Sequence, residues 1–207
     1  MARYRTILIF GAPGSGKGTQ GKILGKTPGF YHCACGDVFR SLDTASELGS
    51  AFLEYSSKGL LVPDEITVRL WHESIRKTVE SGKFKPERDH LILDGIPRNV
   101  SQAILMEELI EIRRVFHLSC PDRDKLVARL KKRALRDNRL DDANEEVIRN
   151  RLVTYDSESK PMLDHYSGIK RHDIDASMTP LEVLHEIIEV LLEETGSKRV
   201  SPSAKPR

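Results

Sequence analysis

Residues 6–19 read TILIFGAPGSGKGT, and this stretch decides the fold class. Thr6–Phe10 is a continuous apolar run with β-branched residues, which is typical of a strand buried on both faces of a parallel sheet. The run stops at Gly11, and we expect a helix to begin near Lys17, after the glycines. A buried strand that leads through a glycine-rich loop into a helix predicts an α/β protein.

The rest of the chain continues this alternation of strands and helices. Three further strands are predicted at His90–Leu93, Arg114–Leu118 and, from a weaker pattern, His172–Asp175. The spacing of apolar residues predicts helices over Gln102–Ile112, Asp122–Arg133 and Leu181–Leu192. Such alternation is expected of a parallel sheet covered by helices on both faces, which is a three-layer sandwich.

The composition is that of a soluble globular chain with room for one domain: 207 residues, 39% hydrophobic and 31% charged. The net charge is only +2, which argues against a nucleic-acid-binding surface that covers the molecule. No stretch approaches the roughly 20 apolar residues that span a membrane, and the N-terminal apolar run ends too early for a signal peptide. The spacing of Cys33, Cys35 and Cys120 matches neither a zinc site nor a redox motif, so we expect reduced thiols in a cytoplasmic protein.

The glycines between Gly11 and Gly18 have the spacing of a phosphate-binding loop. Small residues let successive backbone N–H groups turn toward an anion, and the N-terminus of the following helix adds partial positive charge. Lys17 supplies a mobile charge for the β- and γ-phosphates of a nucleotide. The spacing satisfies G-x-x-x-x-G-K, with Gly18 where Ser or Thr is usual and Thr19 directly after it. This loop therefore predicts a nucleotide-binding protein.

Five segments resemble motifs of the adenylate kinases, which are nucleoside monophosphate kinases. In chain order they are Gly11–Gln20 (GAPGSGKGTQ), Cys35–Arg40 (CGDVFR), Gly59–Glu65 (GLLVPDE), Asp94–Gln102 (DGIPRNVSQ) and Arg139–Tyr155, which begins RLDD. The resemblance runs from residue 6 to about residue 180. It implies a P-loop kinase fold in which a single domain, residues 1–195, carries a helical acceptor insert (about 34–62) and a short lid (about 132–142). The basic, Ser- and Pro-rich residues 196–207 are expected to form a disordered tail.

The resemblance also implies the activity and its residues. The protein would transfer the terminal phosphoryl of ATP to AMP with Mg²⁺, giving two ADP and maintaining adenine nucleotide balance. The residues implied as catalytic are Lys17, Arg98, Arg133, Arg139 and Arg151. Those implied to bind ATP are Gly14, Ser15, Gly16, Lys17, Gly18, Thr19, Arg129 and Arg133. Those implied to bind AMP are Cys35, Gly36, Arg40, Leu60, Leu61, Val62, Gly95, Arg98, Gln102, Arg139 and Arg151. Asp94 would hold Mg²⁺ through water, with Thr19 as a second candidate.

Arginine suits phosphoryl transfer, because its guanidinium stays charged and grips phosphate oxygens with two N–H groups. The reaction asks the protein chiefly to hold two phosphate chains in line and to neutralise the charge on the transferring group. Only residues 134–138 separate Arg133 from Arg139, so the lid has no room for the zinc-binding residues of long-lid relatives, and we expect no zinc. We expect a monomer that binds ATP and AMP, with neither nucleic acid nor a membrane as a partner.

Some residues allow a second interpretation. Asp122–Arg139 carries eight Lys or Arg and three Asp, and it is a phosphate-binding lid segment, a solvated basic helix or a nucleic-acid patch. Asp141 and Asp142 either help to position the lid or begin a helix as solvated residues. Gln102 favours AMP because UMP/CMP kinases carry asparagine there, whereas Cys35, a poor hydrogen-bond donor in place of the usual threonine, leaves base discrimination open. The alternative functions are a UMP/CMP kinase and a nucleotide sensor without catalysis.

Overall fold

The computed structural model describes residues 3–137, 142 and 144–194, and within them the chain forms a parallel sheet of five strands. The strands are β1 (Tyr4–Gly11), β2 (Phe30–Ala34), β3 (His90–Asp94), β4 (Ile110–Ser119) and β5 (Arg171–Asp175). Their spatial order is β2-β3-β1-β4-β5, which puts β1 in the middle of the sheet. The predicted α/β fold with a parallel sheet is confirmed.

The middle strand is the most deeply buried part of the sheet. Residues 7–10 are each at most 6% exposed, as expected for a strand covered on both faces. Ile9 lies beside Asp94 of β3 on one side and beside Phe116 of β4 on the other. Because all five strands run in the same direction, the residues that follow them meet at one edge of the sheet, where α/β proteins bind their ligands.

Helices flank the sheet. They are α1 (Lys17–Leu24), α2 (Cys35–Arg40), α3 (Glu47–Ser57), α4 (Asp64–Glu80), α5 (Val100–Met106), α6 (Arg123–Asp137), α7 (Glu145–Thr154), α8 (Met162–His165) and α9 (Pro180–Glu194), with a π-helical turn at Tyr155–Ser159. The three helices α2, α3 and α4 follow β2 along the chain. Trp71 of α4 is fully buried, and it belongs to the same hydrophobic core as the central strands.

The strand β2 is absent from the sequence prediction. Its residues, FYHCA, are mostly half-buried because β2 lies at the edge of the sheet, and an edge strand needs no continuous apolar run. The predicted helix over Gln102–Ile112 is wrong in its second half, since α5 ends at Met106 and β4 begins at Ile110. Ile110 pairs with Tyr4 of β1, and this long-range pairing prevails over an apolar spacing that fits either conformation.

The other predicted strands and helices are confirmed, with ends that differ by a few residues. The helix that begins at Lys17 follows the glycine-rich loop as expected. None of the helices in the described part of the chain is both long enough and apolar enough to cross a membrane.

Candidate active site

A cavity of about 530 Å³ opens at the carboxyl ends of the strands. Its walls come from the loop after β1, from the segment between β2 and α4, and from α6 and α7. Every predicted site residue that the structure describes lines this cavity, and Arg139 lies outside the described residues. Lys17 and Arg151, which are far apart in the sequence, therefore line the same cavity.

The loop between β1 and α1 encloses one end of the cavity. Gly11 has a φ of 148°, and a Cβ atom there would lie 2.5 Å from the carbonyl oxygen of Leu118. Only glycine fits this position, because any other residue would strain the backbone and collide with β4. The Nζ atom of Lys17 folds back over the loop and donates to the carbonyl oxygens of Gly11 at 2.8 Å and Ala12 at 3.1 Å. The lysine thus rests on its own loop, within the cavity.

Lys17 has a pKa well below the ordinary value of a lysine. The pKa of Lys17 is lowered to about 8, with burial as the largest cause and with the carboxylate of Asp94 opposing the shift. Arg133, Arg98 and Arg151 each contribute to the lowering, because like charges nearby disfavour the protonated lysine. Four positive side chains therefore act on one another in this cavity, which is an arrangement suited to a polyphosphate.

Asp94 ends β3 and provides a carboxylate next to the phosphate-binding loop. A Cβ atom on Gly18 would lie only 3.2 Å from Oδ2 of Asp94, so the missing side chain leaves the carboxylate close to α1. The Nε2 atom of His32 lies 3.9 Å from the same oxygen, and burial lowers the pKa of His32. Thr19, the second metal candidate, is exposed in the first turn of α1.

The donor set at this point fits Mg²⁺. Residues 3–137, 142 and 144–194 contain no group of three or more His, Cys, Asp or Glu side chains placed to hold a metal ion. Mg²⁺ does not need such a group, because it keeps several waters and takes further oxygens from substrate phosphates. Such an ion can use a single carboxylate beside a phosphate-binding loop, and Asp94 provides one here.

Arg40, in the predicted acceptor insert (about 34–62), lines the opposite end of the cavity. Its Nη2 atom donates to Oδ1 of Asp37 at 2.5 Å, one turn earlier in α2. The guanidinium lies across Gly36, where a Cβ atom would approach it to 2.9 Å. Burial raises the pKa of the Cys35 thiol to about 11, so this residue presents a neutral S–H group to the site.

Arg98 and Gln102 follow β3 and lie on the same wall. The Nε atom of Arg98 donates to the carbonyl oxygen of Gly95 at 2.9 Å, so this bond does not use the two terminal nitrogens. The side chain lines the cavity. The backbone N–H of Arg98 donates to Oε1 of Gln102 at 2.8 Å. Gln102 is only 1% exposed, so the cavity reaches a side chain that is otherwise enclosed by protein.

Asp142 joins two of the predicted catalytic arginines. Its Oδ2 atom accepts from Nε of Arg133 at 2.7 Å, and its Oδ1 atom accepts from Nη1 of Arg151. Asp142 is 1% exposed, so its interpretation as a solvated helix start is wrong. The carboxylate instead fixes a guanidinium from α6 next to one from α7. Asp141 lies outside the described residues.

One end of the cavity combines the predicted Arg129 with residues that the sequence did not point to. Arg129 donates through Nη1 to the carbonyl oxygen of Ala176 at 2.7 Å, and Nε2 of Gln20 donates to that of Pro180 at 2.9 Å. The lining residues missed by the sequence interpretation include Gln20, Ser159, Ala176, Met178, Pro180 and Val183. Of these only Gln20 carried a sequence signal, since it directly follows the phosphate-binding loop; the others come from distant segments with no motif.

Comparison with known protein families decides what this site belongs to. The family model described as adenylate kinase matches residues 9–171, which include the phosphate-binding loop and every described site residue that the sequence predicted. The chain belongs to the adenylate kinase family. The resemblance found in the sequence is thereby confirmed.

Individual adenylate kinases match over most of their length. The adenylate kinase 1 of Synechocystis sp. is 36% identical over 201 residues, which cover 93% of this chain and all of the relative. The adenylate kinase of Flavobacterium psychrophilum is 32% identical over 89% of this chain and 97% of its own. That of Phocaeicola vulgatus is 37% identical over 78% of this chain and 84% of its own.

Members of the adenylate kinase family are phosphotransferases, and this chain is therefore a phosphotransferase. The family also explains the basic segment that begins at Asp122. Three arginines of α6, Arg129, Arg133 and Arg136, line the cavity, so the helix contributes positive charge to it and is not only a solvated surface.

Proposed function

We propose that this protein is an adenylate kinase that reversibly transfers the terminal phosphoryl of ATP to AMP with Mg²⁺ and forms two ADP. The observation that carries the proposal is the convergence of Lys17, Arg98, Arg133 and Arg151 on one cavity closed at one end by a phosphate-binding loop. Two phosphate chains that meet end to end would concentrate negative charge where these cations lie.

The cavity divides naturally into a donor half and an acceptor half. ATP would bind the backbone of residues 14–19 together with Lys17, Arg129 and Arg133. AMP would bind along Cys35, Gly36, Arg40, Leu60, Leu61, Val62, Gly95, Arg98 and Gln102, with Arg139 and Arg151 reaching both substrates. This division matches the predicted organisation of a single kinase domain, residues 1–195, which carries the acceptor insert (about 34–62) and the short lid (about 132–142).

The chain's own groups would do most of the work by position and charge. Lys17 would give up its hydrogen bonds to the two loop carbonyls and donate to phosphate oxygens instead. Arg133 and Arg151, which both bind the carboxylate of Asp142, would hold the transferring group. Asp94 would hold Mg²⁺ through water, with Thr19 as the second candidate, and the bound ion would neutralise charge on the donor phosphates. No covalent step on the protein is required.

Gln102 supports AMP as the acceptor. Its amide can donate and accept at once, as the edge of adenine does, whereas UMP/CMP kinases carry asparagine at this position. The thiol of Cys35 donates only weakly, so Gln102 would provide most of the base recognition.

The test is ADP formation from ATP and Mg²⁺, with AMP, UMP, CMP and GMP as separate acceptors. We expect turnover with AMP to exceed that with the others by about a hundredfold or more. Lys17→Ala is the matched control, and it should lower kcat/KM by about a thousandfold. Turnover chiefly with UMP or CMP would contradict the choice of AMP. ATP binding without turnover of any acceptor would indicate a sensor.

We further propose that the enzyme is a cytoplasmic monomer without nucleic-acid or membrane partners. The near-neutral charge of +2 and three unpaired, buried cysteines support this setting. Light scattering that gives a mass of about 23.4 kDa would support the monomer, and twice that mass would contradict it.

A further inference from the structure

The amide of Gln102 has a protein partner on each of its two polar atoms. Oε1 accepts the backbone N–H of Arg98 at 2.8 Å, and Nε2 donates to Oδ1 of Asp64 at 2.8 Å. Because Gln102 is only 1% exposed, water does not compete freely for these bonds. An amide offers two hydrogens and two lone pairs, so one donor and one acceptor remain for a ligand.

Asp64 is itself held in place. It lies in the first turn of α4, and Nδ2 of Asn99 donates to its Oδ1 and Oδ2 atoms at 3.1 and 3.3 Å. Asn99 also caps α5, since its Oδ1 accepts the N–H of Gln102 at 2.8 Å. The carboxylate is thus fixed between α4 and the start of α5. Among the described residues, those that line the cavity include Gln102 but neither Asp64 nor Asn99.

These partners dictate which way the amide of Gln102 faces. A carboxylate can only accept hydrogen bonds, and a backbone N–H can only donate them. Turning the amide around would set Nε2 against the N–H of Arg98 and Oε1 against the carboxylate of Asp64. Both contacts would become repulsive, and the two polar atoms of the amide and the N–H of Arg98 would lose their partners. The amide is therefore held in one orientation.

The orientation of such an amide decides which purine edge it can pair with. Adenine presents an amino donor beside a ring-nitrogen acceptor, whereas hypoxanthine and guanine present a carbonyl oxygen beside an N–H donor. An amide pairs with the first pattern in one orientation and with the second pattern when it is turned around. A partner that fixes the orientation therefore contributes to the choice of base without touching it.

We propose that Asp64 is a positioning residue for acceptor specificity, which holds the Gln102 amide in the orientation that pairs with the amino edge of adenine and rejects a carbonyl edge. The inference rests on the proposed function, with AMP as the acceptor and Gln102 against its base. Asp64 acts through the amide and makes no contact with the nucleotide.

The test compares AMP with IMP, which carries a carbonyl and an N1–H in place of the amino group and N1 of AMP. With ATP saturating, Asp64→Ala should reduce the AMP-to-IMP ratio of kcat/KM about tenfold, because one of two groups that orient the amide is lost. Asp64→Asn retains an accepting oxygen and should restore most of the ratio. Glu65→Ala removes an exposed carboxylate from the same turn and should leave the ratio unchanged. The KM for ATP should stay constant in all three variants.

Each outcome distinguishes this inference from the proposed function. If the wild-type protein fails to use AMP, the proposed function fails before any variant is made. If the wild-type uses AMP and the ratio is unchanged in folded Asp64→Ala, or both acceptors lose equally, the role of Asp64 is merely structural and the inference is overturned. An Asp64→Asn variant that behaves like the alanine variant overturns it as well. Asp64→Leu, close in size and without an acceptor, replaces Asp64→Ala if that variant does not fold.

Discussion

At the scale of single residues, Lys17 is held as a cation in a place that disfavours its charge. Burial and, to a smaller extent, three nearby arginines lower its pKa from the ordinary 10.5 to about 8. Within the part of the chain that the structure describes, its hydrogen-bond partners are the neutral carbonyl groups of Gly11 and Ala12. Phosphate groups would bring the missing negative charge and raise this pKa again. The like charges around Lys17 thus favour the binding of an anion.

The pH dependence of the kinetics should reveal this lysine. The folded free enzyme loses the Lys17 proton as the pH rises through about 8, so kcat/KM for ATP should fall above that pH. Bound phosphates raise the pKa, so kcat should begin to fall only at a higher pH. Steady-state kinetics between pH 6 and 10 measure both limits. Lys17→Arg, which stays charged throughout, should remove the alkaline fall of kcat/KM whatever its absolute rate, and a fall that persists would contradict the assignment.

At the scale of elements, the acceptor insert packs directly on α7. Gly59, just after α3, has a φ of 73°, and a Cβ atom there would lie 3.0 Å from the carbonyl oxygen of Val147 and 3.2 Å from the backbone nitrogen of Arg151. Thr154 donates through Oγ1 to the carbonyl oxygen of Gly59 at 3.2 Å. A change at Gly59 therefore acts on the helix that carries a predicted catalytic arginine.

Gly59→Ala should cost both stability and activity, and Gly82→Ala is its matched control. Gly82 has nearly the same φ, 71°, but no atom lies within 4 Å of the Cβ position. Gly82→Ala should lower the free energy of unfolding by about 1 kcal/mol from backbone strain alone. Gly59→Ala should lower it by about 1–3 kcal/mol more, because the backbone of α7 must move, and should reduce kcat/KM for AMP. Urea unfolding and kinetics measure the two variants, and equal losses would show that the contact is unimportant.

Elements also show where local patterns fail. The apolar spacing of Gln102–Ile112 fits a helix, yet β4 takes up its end because Ile110 pairs with β1. The strand β2 has no continuous apolar run. It lies at the edge of the sheet, where most of its residues are only half-buried. In both cases a partner distant in sequence determines the conformation, and a short window of residues does not contain that partner.

At the scale of the whole molecule, the cavity lies between the sheet edge, the acceptor insert and the helices that flank the lid. Phosphoryl transfer to AMP requires that water be kept from the transferring group. We therefore expect the insert (about 34–62) and the lid (about 132–142) to close over bound substrates.

Solution scattering can test closure. A two-substrate analogue, with two adenosines joined by a chain of phosphates, should give a smaller radius of gyration than the free protein. ATP alone serves as the comparison, and it should give a smaller change because the acceptor half stays empty. Identical scattering curves with and without the analogue would contradict closure.

The sequence by itself determined the central strand, the phosphate-binding loop and the family to which the chain belongs. The apolar run of Thr6–Phe10 and the glycine spacing before Lys17 are local features, so a short window of sequence contains each pattern in full. Arginines in ordered motifs likewise marked which cations belong to the site, and each one that the structure describes lines the cavity.

Only the tertiary structure decided how these residues are held. Asp142 meets Arg133 and Arg151, and Asp64 meets the amide of Gln102, through contacts between different elements. A hydrogen bond or ion pair depends on distance and direction, and the sequence does not specify either for groups that meet only after folding. The sequence therefore identified the charged groups, and the packing of helices on the sheet determined their partners.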